Sequence, residues 1–304
     1  METTKNSKLT EKSRTALSAY LFVSPFFILF AIFGLFPMIF SFYLSFFRWD
    51  GLTPMTFTGW RNFELIFTDP VFWSAIKNTF VIGIMGTLPQ IFIGILLAFA
   101  LNSQLIKFRN TFRTAIFLPY ITSIVAVAII FGVVFNNQPF GFANYLLAMF
   151  DMDPIRWNQE YWPVKIAIAT MVFWRWVGYN TIIFLAGMQS IPKELYEAAK
   201  IDGATVGQQI RLITLPMLKP ILMFVVFTAT IGSFQLFTEP LIFLGRGLRE
   251  EGITVVAYLW RDAFVYNSFG TASAAAIVLF IIIISMTAIN LLITNRVGRS
   301  KKVS

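Results

Sequence analysis

The sequence predicts an all-α polytopic membrane protein with six transmembrane helices, from its composition, its apolar runs and its alternating charges. Of its 304 residues, 57% are hydrophobic and 13% are charged, which lies outside the balance of ordinary soluble domains. A helical span needs about 20 mostly uncharged residues to cross the hydrocarbon core. Six runs reach or approach that length: Tyr20–Tyr43, Phe80–Leu101, Ala115–Phe135, Val164–Gly187, Ile221–Leu236 and Ala272–Thr294.

Two of these runs have distinctive ends. The first contains Pro25 and Pro37 and is longer than the apolar region of about 7 to 15 residues in a cleaved signal peptide, so it is predicted to be a retained anchor. The fifth is the shortest, and Glu239 and Pro240 follow its far end closely. Arg175 is the one charge near the middle of a run. No carboxylate is expected well inside a span.

Basic and acidic side chains alternate from loop to loop, which predicts the orientation of the spans. Lysine and arginine are retained on the cytoplasmic side of short loops. They concentrate before the first run, after the second, between the fourth and fifth, and after the sixth, whereas acidic residues fill the intervening loops. Both termini are therefore predicted to be cytoplasmic. Residues 1–18 form a basic tail, residues 19–295 the transmembrane domain and residues 296–304 a second basic tail.

Several classes of function are disfavoured by what the sequence lacks. The net charge of +9 borders the membrane rather than forming one patch, so nucleic acid is not an expected partner, whereas membrane lipid is. With no cysteine and no histidine, the chain cannot build a thiolate nucleophile, a Ser/His pair or a usual zinc site. It also has no G-x-x-x-x-G-K-[ST] loop for ATP phosphates. We therefore expect no bound cofactor and no enzyme activity, and any ATP would be bound by another chain.

The polar stretch between the fourth and fifth runs predicts two short helices. Ser190 is a candidate N-cap with Pro192 in the first turn, which predicts a helix from about Pro192 to Lys200. Gly203 is a natural break, because glycine accepts left-handed backbone angles without a Cβ clash.

The second of these helices begins at a T-x-x-Q capping box formed by Thr205 and Gln208. Pro216 is expected to stop it, and Pro220 to open the fifth span. Two helices joined by a glycine turn form a rigid projection, which fits a groove in a soluble partner or, alternatively, an amphipathic connector lying on the membrane surface.

The same stretch resembles the EAA signature of the membrane permeases of binding-protein-dependent ABC importers. The resemblance rests on Glu197-Ala198-Ala199, on Asp202-Gly203-Ala204, and on Ile213, Leu215-Pro216 and Pro220. The segments "DPVFWSAIKNTF", "FRTAIFLPYITS", "FGFANYLL" and "FGTASAAAIVLF" extend the resemblance along most of the chain. Carbohydrate importers contain two unlike permease subunits, and these segments are similar to the first of the two. The maltose and glycerol-3-phosphate permeases are relatives of this kind.

This resemblance implies both a fold and a set of partners. Residues of about 190–220 would form the coupling loop, in which Glu197 faces an ATPase subunit and Gly203 makes the turn. A second, unlike permease subunit, two ATP-binding cassette subunits that hold ATP and Mg, and an extracytoplasmic sugar-binding protein would complete an importer in the cytoplasmic (inner) membrane of a prokaryote. Relatives often carry a "GGP" segment after the fifth span, whereas this chain reads "LGRGLREEGIT". The outer loop is therefore expected to meet its binding protein differently.

Two clusters are candidates for contact with a sugar. The first cluster lies in the fourth run around Arg175. Placing its charge in the hydrocarbon core costs free energy, so this side chain must face protein, water or substrate. Aromatic faces and amides nearby suit a sugar's C–H faces and hydroxyls, although packing is an alternative role. The residues of this cluster are Trp174, Arg175, Trp176, Tyr179 and Asn180.

In the fifth run, the resemblance carries over Ser233 and its neighbours as pocket residues. Ser233 and Phe237 are four residues apart and share a helix face, whereas Gln235 points elsewhere. Hydrogen bonding between helices is the alternative role for such polar residues.

Transport of a sugar, and of an oligosaccharide in particular, by alternating access is the leading hypothesis. A non-sugar solute such as an amino acid or a glycerol phosphate ester is the alternative within transport, and Arg175 keeps it open because an anion would be expected to meet a cation. A membrane scaffold or insertase is the more distant alternative, and neither it nor an intramembrane enzyme requires a glycine-hinged loop of this pattern.

Overall fold

The structure is a computed structural model that describes residues 3–103, 106–245 and 247–299. The ends of both predicted tails (residues 1–2 and 300–304) and Arg246, in the loop predicted to be extracytoplasmic, lie outside the described residues. The predicted all-α class is confirmed, with one short ladder that pairs Phe47 with Phe57. The elements are α1 Thr3–Phe30, a π turn Ala31–Leu35, α2 Phe36–Leu44, β1 Phe47–Arg48, β2 Thr56–Phe57, α3 Arg61–Thr68, α4 Pro70–Asn102, α5 Arg109–Ile121, α6 Ile124–Val134, α7 Phe142–Ala148, α8 Tyr161–Gln189, α9 Lys193–Ile201, α10 Val206–Gln209, a π turn Ile210–Thr214, α11 Leu215–Phe234, α12 Thr238–Leu244, α13 Val255–Phe264 and α14 Phe269–Arg299.

Within the described ranges, five helices are long and apolar enough to cross a membrane, or six when a bent pair is counted as one span. That number agrees with the six predicted runs. The five are Thr15–Leu44, Pro70–Asn102, Tyr161–Gln189, Val206–Leu244 and Phe269–Leu292, and the bent pair is Arg109–Ile121 with Ile124–Val134.

The third run is not the continuous helix that its apolar sequence predicts. It bends by 93° between α5 and α6, where Thr122 takes extended backbone angles. Such a break frees backbone carbonyls that have no water to bond to in a membrane. An Arg175 guanidinium nitrogen donates to the Thr122 carbonyl at 2.9 Å, so a side chain from α8 satisfies one of the freed groups.

The fifth span is longer than predicted at both ends. A π turn carries the helix from α10 into α11, with the Leu215 N–H bonded to the Ile210 carbonyl. Pro216 lies in the first turn after it and does not stop the helix. Pro220, predicted to open the span, lies inside α11. At the other end, α12 continues the segment past Glu239, which is buried, whereas the sequence places the acidic residue outside the span.

Close packing of α4, α5 and α8 forms the centre of the protein. A Cβ at Gly86 of α4 would lie 3.0 Å from Val172 Cγ1 on α8. A Cβ at Gly178 of α8 would clash with the Ile116 carbonyl oxygen on α5, at a distance of 1.7 Å. Small residues of this kind let helix backbones approach each other in membranes. The first span is different, because none of its most apolar window is buried within this chain.

Candidate functional site

A central cavity of about 170 Å³ lies between α4, α5, α8 and α11. Four of the residues predicted for substrate contact line it. The complete lining is Thr87, Gln90, Tyr120, Val172, Trp176, Tyr179, Asn180, Thr228, Ala229, Gly232, Ser233 and Leu236.

Three aromatic rings form one wall of this cavity. Tyr120 stacks on Tyr179 with ring centroids 4.5 Å apart. Trp176 meets the Tyr120 and Tyr179 rings edge-on at 5.3 and 5.5 Å. Each ring is half-buried, so part of its surface faces the cavity. The trio offers apolar surface and two hydroxyl groups to whatever occupies the cavity.

Two buried amides on the facing helices retain unused hydrogen-bonding capacity. Gln90 of α4 and Asn180 of α8 are each 3% exposed. Gln90 Oε1 and Asn180 Nδ2 have no hydrogen-bond partner within the described part of the chain. Buried polar groups are normally paired, because leaving one unpaired costs about 1–3 kcal/mol. An acceptor of Gln90 and a donor of Asn180, both on residues that line the cavity, therefore lack a protein partner among the described residues.

Ser233 lines the cavity from α11, where its hydroxyl donates to the Thr230 carbonyl at 2.8 Å. A Cβ on Gly83 of α4 would lie 2.9 Å from Ser233 Cβ. The glycine thus allows α11 to approach α4 at this level.

The other four predicted residues do not line the cavity. Trp174 packs against Phe131, with the ring centroids 5.6 Å apart. Gln235 is exposed at the end of α11. Phe237 packs against Trp260, with the ring centroids 6.0 Å apart.

Arg175 lies behind the aromatic trio. Its guanidinium carbon is 6.0 Å from the Tyr120 ring centroid, and one of its nitrogens bonds to the Thr122 carbonyl.

Four polar residues line the cavity but are not among those predicted from the sequence: Thr87, Gln90, Tyr120 and Thr228. Gln90 carried a usable signal, because an amide in the middle of the second apolar run is costly unless it is paired or functional. Tyr120 carried none, since it meets the α8 aromatics only because of the α5 packing.

The coupling loop has the backbone that its sequence predicts around Gly203. The N–H of Ala204 bonds to the Ala199 carbonyl at 2.8 Å and that of Gly203 to the Lys200 carbonyl at 3.1 Å. These two bonds form a Schellman motif, in which the residue after the cap takes a left-handed conformation. Gly203 is that residue, with φ +76°.

Capping bonds fix the second helix of the loop. Thr205 and Gln208 form the predicted capping box. The Tyr196 hydroxyl lies 2.9 Å from Thr214 Oγ1 and ties α9 to the π turn. Ser190, however, ends α8 instead of starting α9, because its hydroxyl donates to the Gly187 carbonyl. The N-cap of α9 is Pro192, without a side-chain bond.

The outer surface of the coupling loop combines charge with exposed apolar side chains. Ile201 is 87% exposed and Val206 is 71% exposed. The residues of the EAA-like signature surround them: Glu197, Ala198, Asp202 and Gly203 are exposed, and Ala199 and Ala204 are half-buried. Over the described residues, no group of three or more acidic side chains could hold a metal ion.

Comparisons with known proteins agree with this architecture. A family model described as "Binding-protein-dependent transport system inner membrane component" matches residues 90–299. The chain is 35% identical to the arabinooligosaccharides transport system permease protein AraP of Halalkalibacterium halodurans, over 97% of this chain and 93% of that protein. It is 34% identical to the lactose transport system permease protein LacF of Rhizobium radiobacter, over 96% and 97% of the two chains.

A solved structure gives the same result for the fold. The crystal structure of a bacterial ABC transporter involved in the import of the acidic polysaccharide alginate aligns with a TM-score of 0.81 and 25% identity. The alignment covers 96% of this chain and 100% of that chain. Together with the family match, it shows that this multi-pass membrane protein belongs to the family of binding-protein-dependent transport system inner membrane components.

Proposed function

We propose that this chain is the permease subunit of an ABC importer that translocates an uncharged oligosaccharide across the cytoplasmic membrane by alternating access. The central cavity carries the proposal. Aromatic rings of Tyr120, Trp176 and Tyr179 line it together with Gln90 and Asn180, each of which has an amide atom without a partner among the described residues. Rings stack on the C–H faces of a sugar, and amides bond to its hydroxyls.

The printed functions of the relatives support a carbohydrate as the class of solute. The relatives named above transport arabinooligosaccharides and lactose. A permease of Thermococcus litoralis that is 28% identical to this chain is named for trehalose and maltose. These names agree in the class of solute and differ in the sugar.

The absence of charge on the residues that line the central cavity favours an uncharged sugar over an anionic solute. All the residues that line the central cavity are uncharged. Arg175, the nearest cation of the fourth span, donates to the Thr122 carbonyl instead. A phosphate ester or an acidic sugar would lose its hydration without gaining a cation from this chain. An uncharged solute therefore fits this subunit better.

The coupling loop is the proposed contact with the ATPase. Exposed Ile201 and Val206 provide apolar surface on a rigid projection, and Glu197 adds a charge beside them. A groove in the ATPase would cover this surface, with the loop and both termini on the cytoplasmic side. The full importer would contain a second, unlike permease subunit, two ATP-binding subunits that hold ATP and Mg, and an extracytoplasmic binding protein.

ATPase activity of the complete importer, reconstituted in liposomes with its binding protein, tests the proposal. The panel contains arabinotriose, lactose, trehalose, an alginate trisaccharide, glycerol 3-phosphate and an amino acid. We expect an uncharged oligosaccharide to stimulate hydrolysis and the anions not to do so. Stimulation by the alginate trisaccharide or glycerol 3-phosphate alone would reject the uncharged solute, and stimulation by the amino acid alone would reject a sugar.

A further inference from the structure

A second cavity of about 460 Å³ lies beyond the end of α6, between α6, α12 and the loop that precedes α8. Its volume lies within the range of about 300–1,000 Å³ that is typical of small-molecule pockets. It shares no lining residue with the central cavity. The predicted orientation puts it on the extracytoplasmic side, because the third span ends and the fourth begins there.

Uncharged amides give this second cavity its chemical character. An amide group offers both donors and an acceptor, which is what neighbouring sugar hydroxyls require. None of the residues that line the cavity is charged. The amides are Asn136, Asn137, Gln138 and Asn158, and the rings of Phe135 and Phe243 lie among them.

A buried asparagine holds this polar loop in one conformation. Asn144 is 1% exposed, and its Nδ2 donates to the Asn136 carbonyl at 3.1 Å and the Ile155 carbonyl at 3.0 Å. Its Oδ1 accepts from Trp157 Nε1 at 2.9 Å. A site fixed in this way loses little entropy when a ligand binds.

The amides that face the cavity retain donors. Asn137 accepts from the Asn158 backbone N–H at 3.1 Å, and Asn137 Nδ2 bonds to Asn158 Oδ1. Asn136 Oδ1 accepts from the Gln138 N–H at 2.9 Å. Within the described ranges, no hydrogen bond uses the Nδ2 groups of Asn136 and Asn158. Side chains of the loop therefore satisfy part of its backbone, while two donors are left for a ligand.

An apolar barrier separates the two cavities. Leu236 lines the central cavity and Phe243 the second one, and both belong to one buried cluster with Val172. Phe131 and Phe135 pack against the same cluster. This cluster therefore contacts both cavities, and a solute passing from the second cavity to the central one would have to displace part of it.

We propose that the second cavity is an entrance subsite that binds an uncharged carbohydrate unit before it passes the apolar barrier. Donors on Asn136 and Asn158 bond to its hydroxyls, and Phe135 and Phe243 provide its apolar contact. The proposal rests on the proposed function, because it assigns this cavity to the path of the same solute.

The absence of cysteine from the sequence makes a direct test possible. Gln138→Cys introduces one thiol into this chain at the second cavity, and a water-soluble maleimide then reports whether the cavity is occupied. Labelling would be measured by mass spectrometry of this chain, in the complete membrane complex in lipid nanodiscs without binding protein. We expect saturating arabinotriose, lactose or trehalose to slow labelling by about threefold, and glycerol 3-phosphate not to slow it.

Two matched pairs of variants control the experiment. Met152→Cys places a thiol on an exposed site of the same extracytoplasmic region, where we expect no protection. In the Gln138→Cys background, Asn158→Asp keeps the acceptor used by Asn137 but removes the Nδ2 donor, and should abolish protection. Gln159→Glu adds the same charge at a neighbouring residue outside the lining and should preserve protection.

The subsite would be overturned if the Gln138→Cys thiol were labelled at the same rate without sugar and in the presence of each of the three sugars. Protection that survives Asn158→Asp would also overturn the assigned role of Asn158. Stimulated ATPase activity without protection would reject the subsite alone, whereas protection without stimulation by any sugar would reject the proposed transport function.

Discussion

At the scale of single residues, two nearby tryptophans on α8 differ in what their side chains contact. Trp176 lines the central cavity, whereas Trp174 packs against Phe131 and is 38% exposed. An aromatic contact is worth about 0.5–1.5 kcal/mol beyond buried area. We therefore expect Trp176→Ala to raise the KM for oligosaccharide uptake by about threefold to tenfold, measured in proteoliposomes. Trp174→Ala is the control, and equal effects of the two substitutions would remove Trp176 from the pocket.

The unpaired amide of Asn180 provides a second test at this scale. Asn180→Leu removes a buried donor that has no protein partner, so the thermal stability of the complex should be unchanged or higher. Uptake should fall about tenfold, because one hydrogen bond to the solute is lost. Thr181→Val is the control, since that hydroxyl donates only to the Val177 carbonyl of its own helix. Loss of stability together with unchanged uptake would show that Asn180 serves packing.

At the scale of elements, Arg175 bonds to the backbone at the bend between α5 and α6. Its bond to the Thr122 carbonyl satisfies a backbone group that the bend leaves open. We expect Arg175→Leu to destabilise the complex by about 1–3 kcal/mol, because a buried acceptor loses its partner. The midpoint of thermal unfolding of the purified complex measures this loss, and Arg175→Lys should retain part of the stability. An unchanged midpoint with an altered range of solutes would instead assign Arg175 to the solute.

The turn of the coupling loop is a second element with a specific backbone requirement. A Cβ at Gly203 would meet nothing within 4 Å, so only the positive φ restricts the residue there. Gly203→Val should distort the turn, at a cost of about 1–2 kcal/mol, and should reduce both uptake and co-purification of the ATPase subunits. Gly203→Asn is the control, because asparagine tolerates this conformation better. Full uptake by the valine variant would reject the docking role.

Elements set by local sequence were predictable, and those set by contacts between helices were not. Gly203 and the capping box of Thr205 follow from bonds within a few residues, so the sequence predicts both. The bend at Thr122 lies in a run that also contains Pro119 and Ser123, but its 93° angle and the bond from Arg175 of another helix are set by tertiary packing. Ser190 could cap either of two helices, and only the three-dimensional structure shows that it ends α8.

At the scale of the whole molecule, the six spans follow from hydropathy because the bilayer fixes their length. The central cavity does not follow in the same way, since its lining comes from four helices. Trp176, Tyr179, Asn180 and Ser233 belong to clusters that the sequence makes visible. Gln90 and Tyr120 join them only through the packing of α4 and α5 against α8.

Stability of the whole molecule should depend on pH through a group that lies outside the spans. Asp262 of α13 is buried beside Tyr258, whose hydroxyl donates to Asp69 at 2.8 Å. The pKa of Asp262 is raised from its ordinary value of 3.8 to about 6, mainly by burial and also by the nearby Asp69, although Arg261 opposes the shift. Because the folded protein holds this proton more tightly than the unfolded chain, Asp262 increasingly destabilises the fold as the pH rises from 3.8 to about 6.

Asp262→Asn removes this titration and keeps a side chain of nearly the same shape. The thermal midpoint of the variant complex should therefore exceed that of the unmodified complex by more at pH 7.5 than at pH 4.5. Asp153→Asn, at an exposed site, is the control and should give the same difference at both pH values. A gain from Asp262→Asn that is independent of pH would contradict the raised pKa, whereas a loss at pH 7.5 would mean that the ionised carboxylate is compensated by Arg261, whose guanidinium lies 3.8 Å away. After such a loss, the cluster would be assigned to stabilise this end of the protein as an ion pair rather than as a protonated acid.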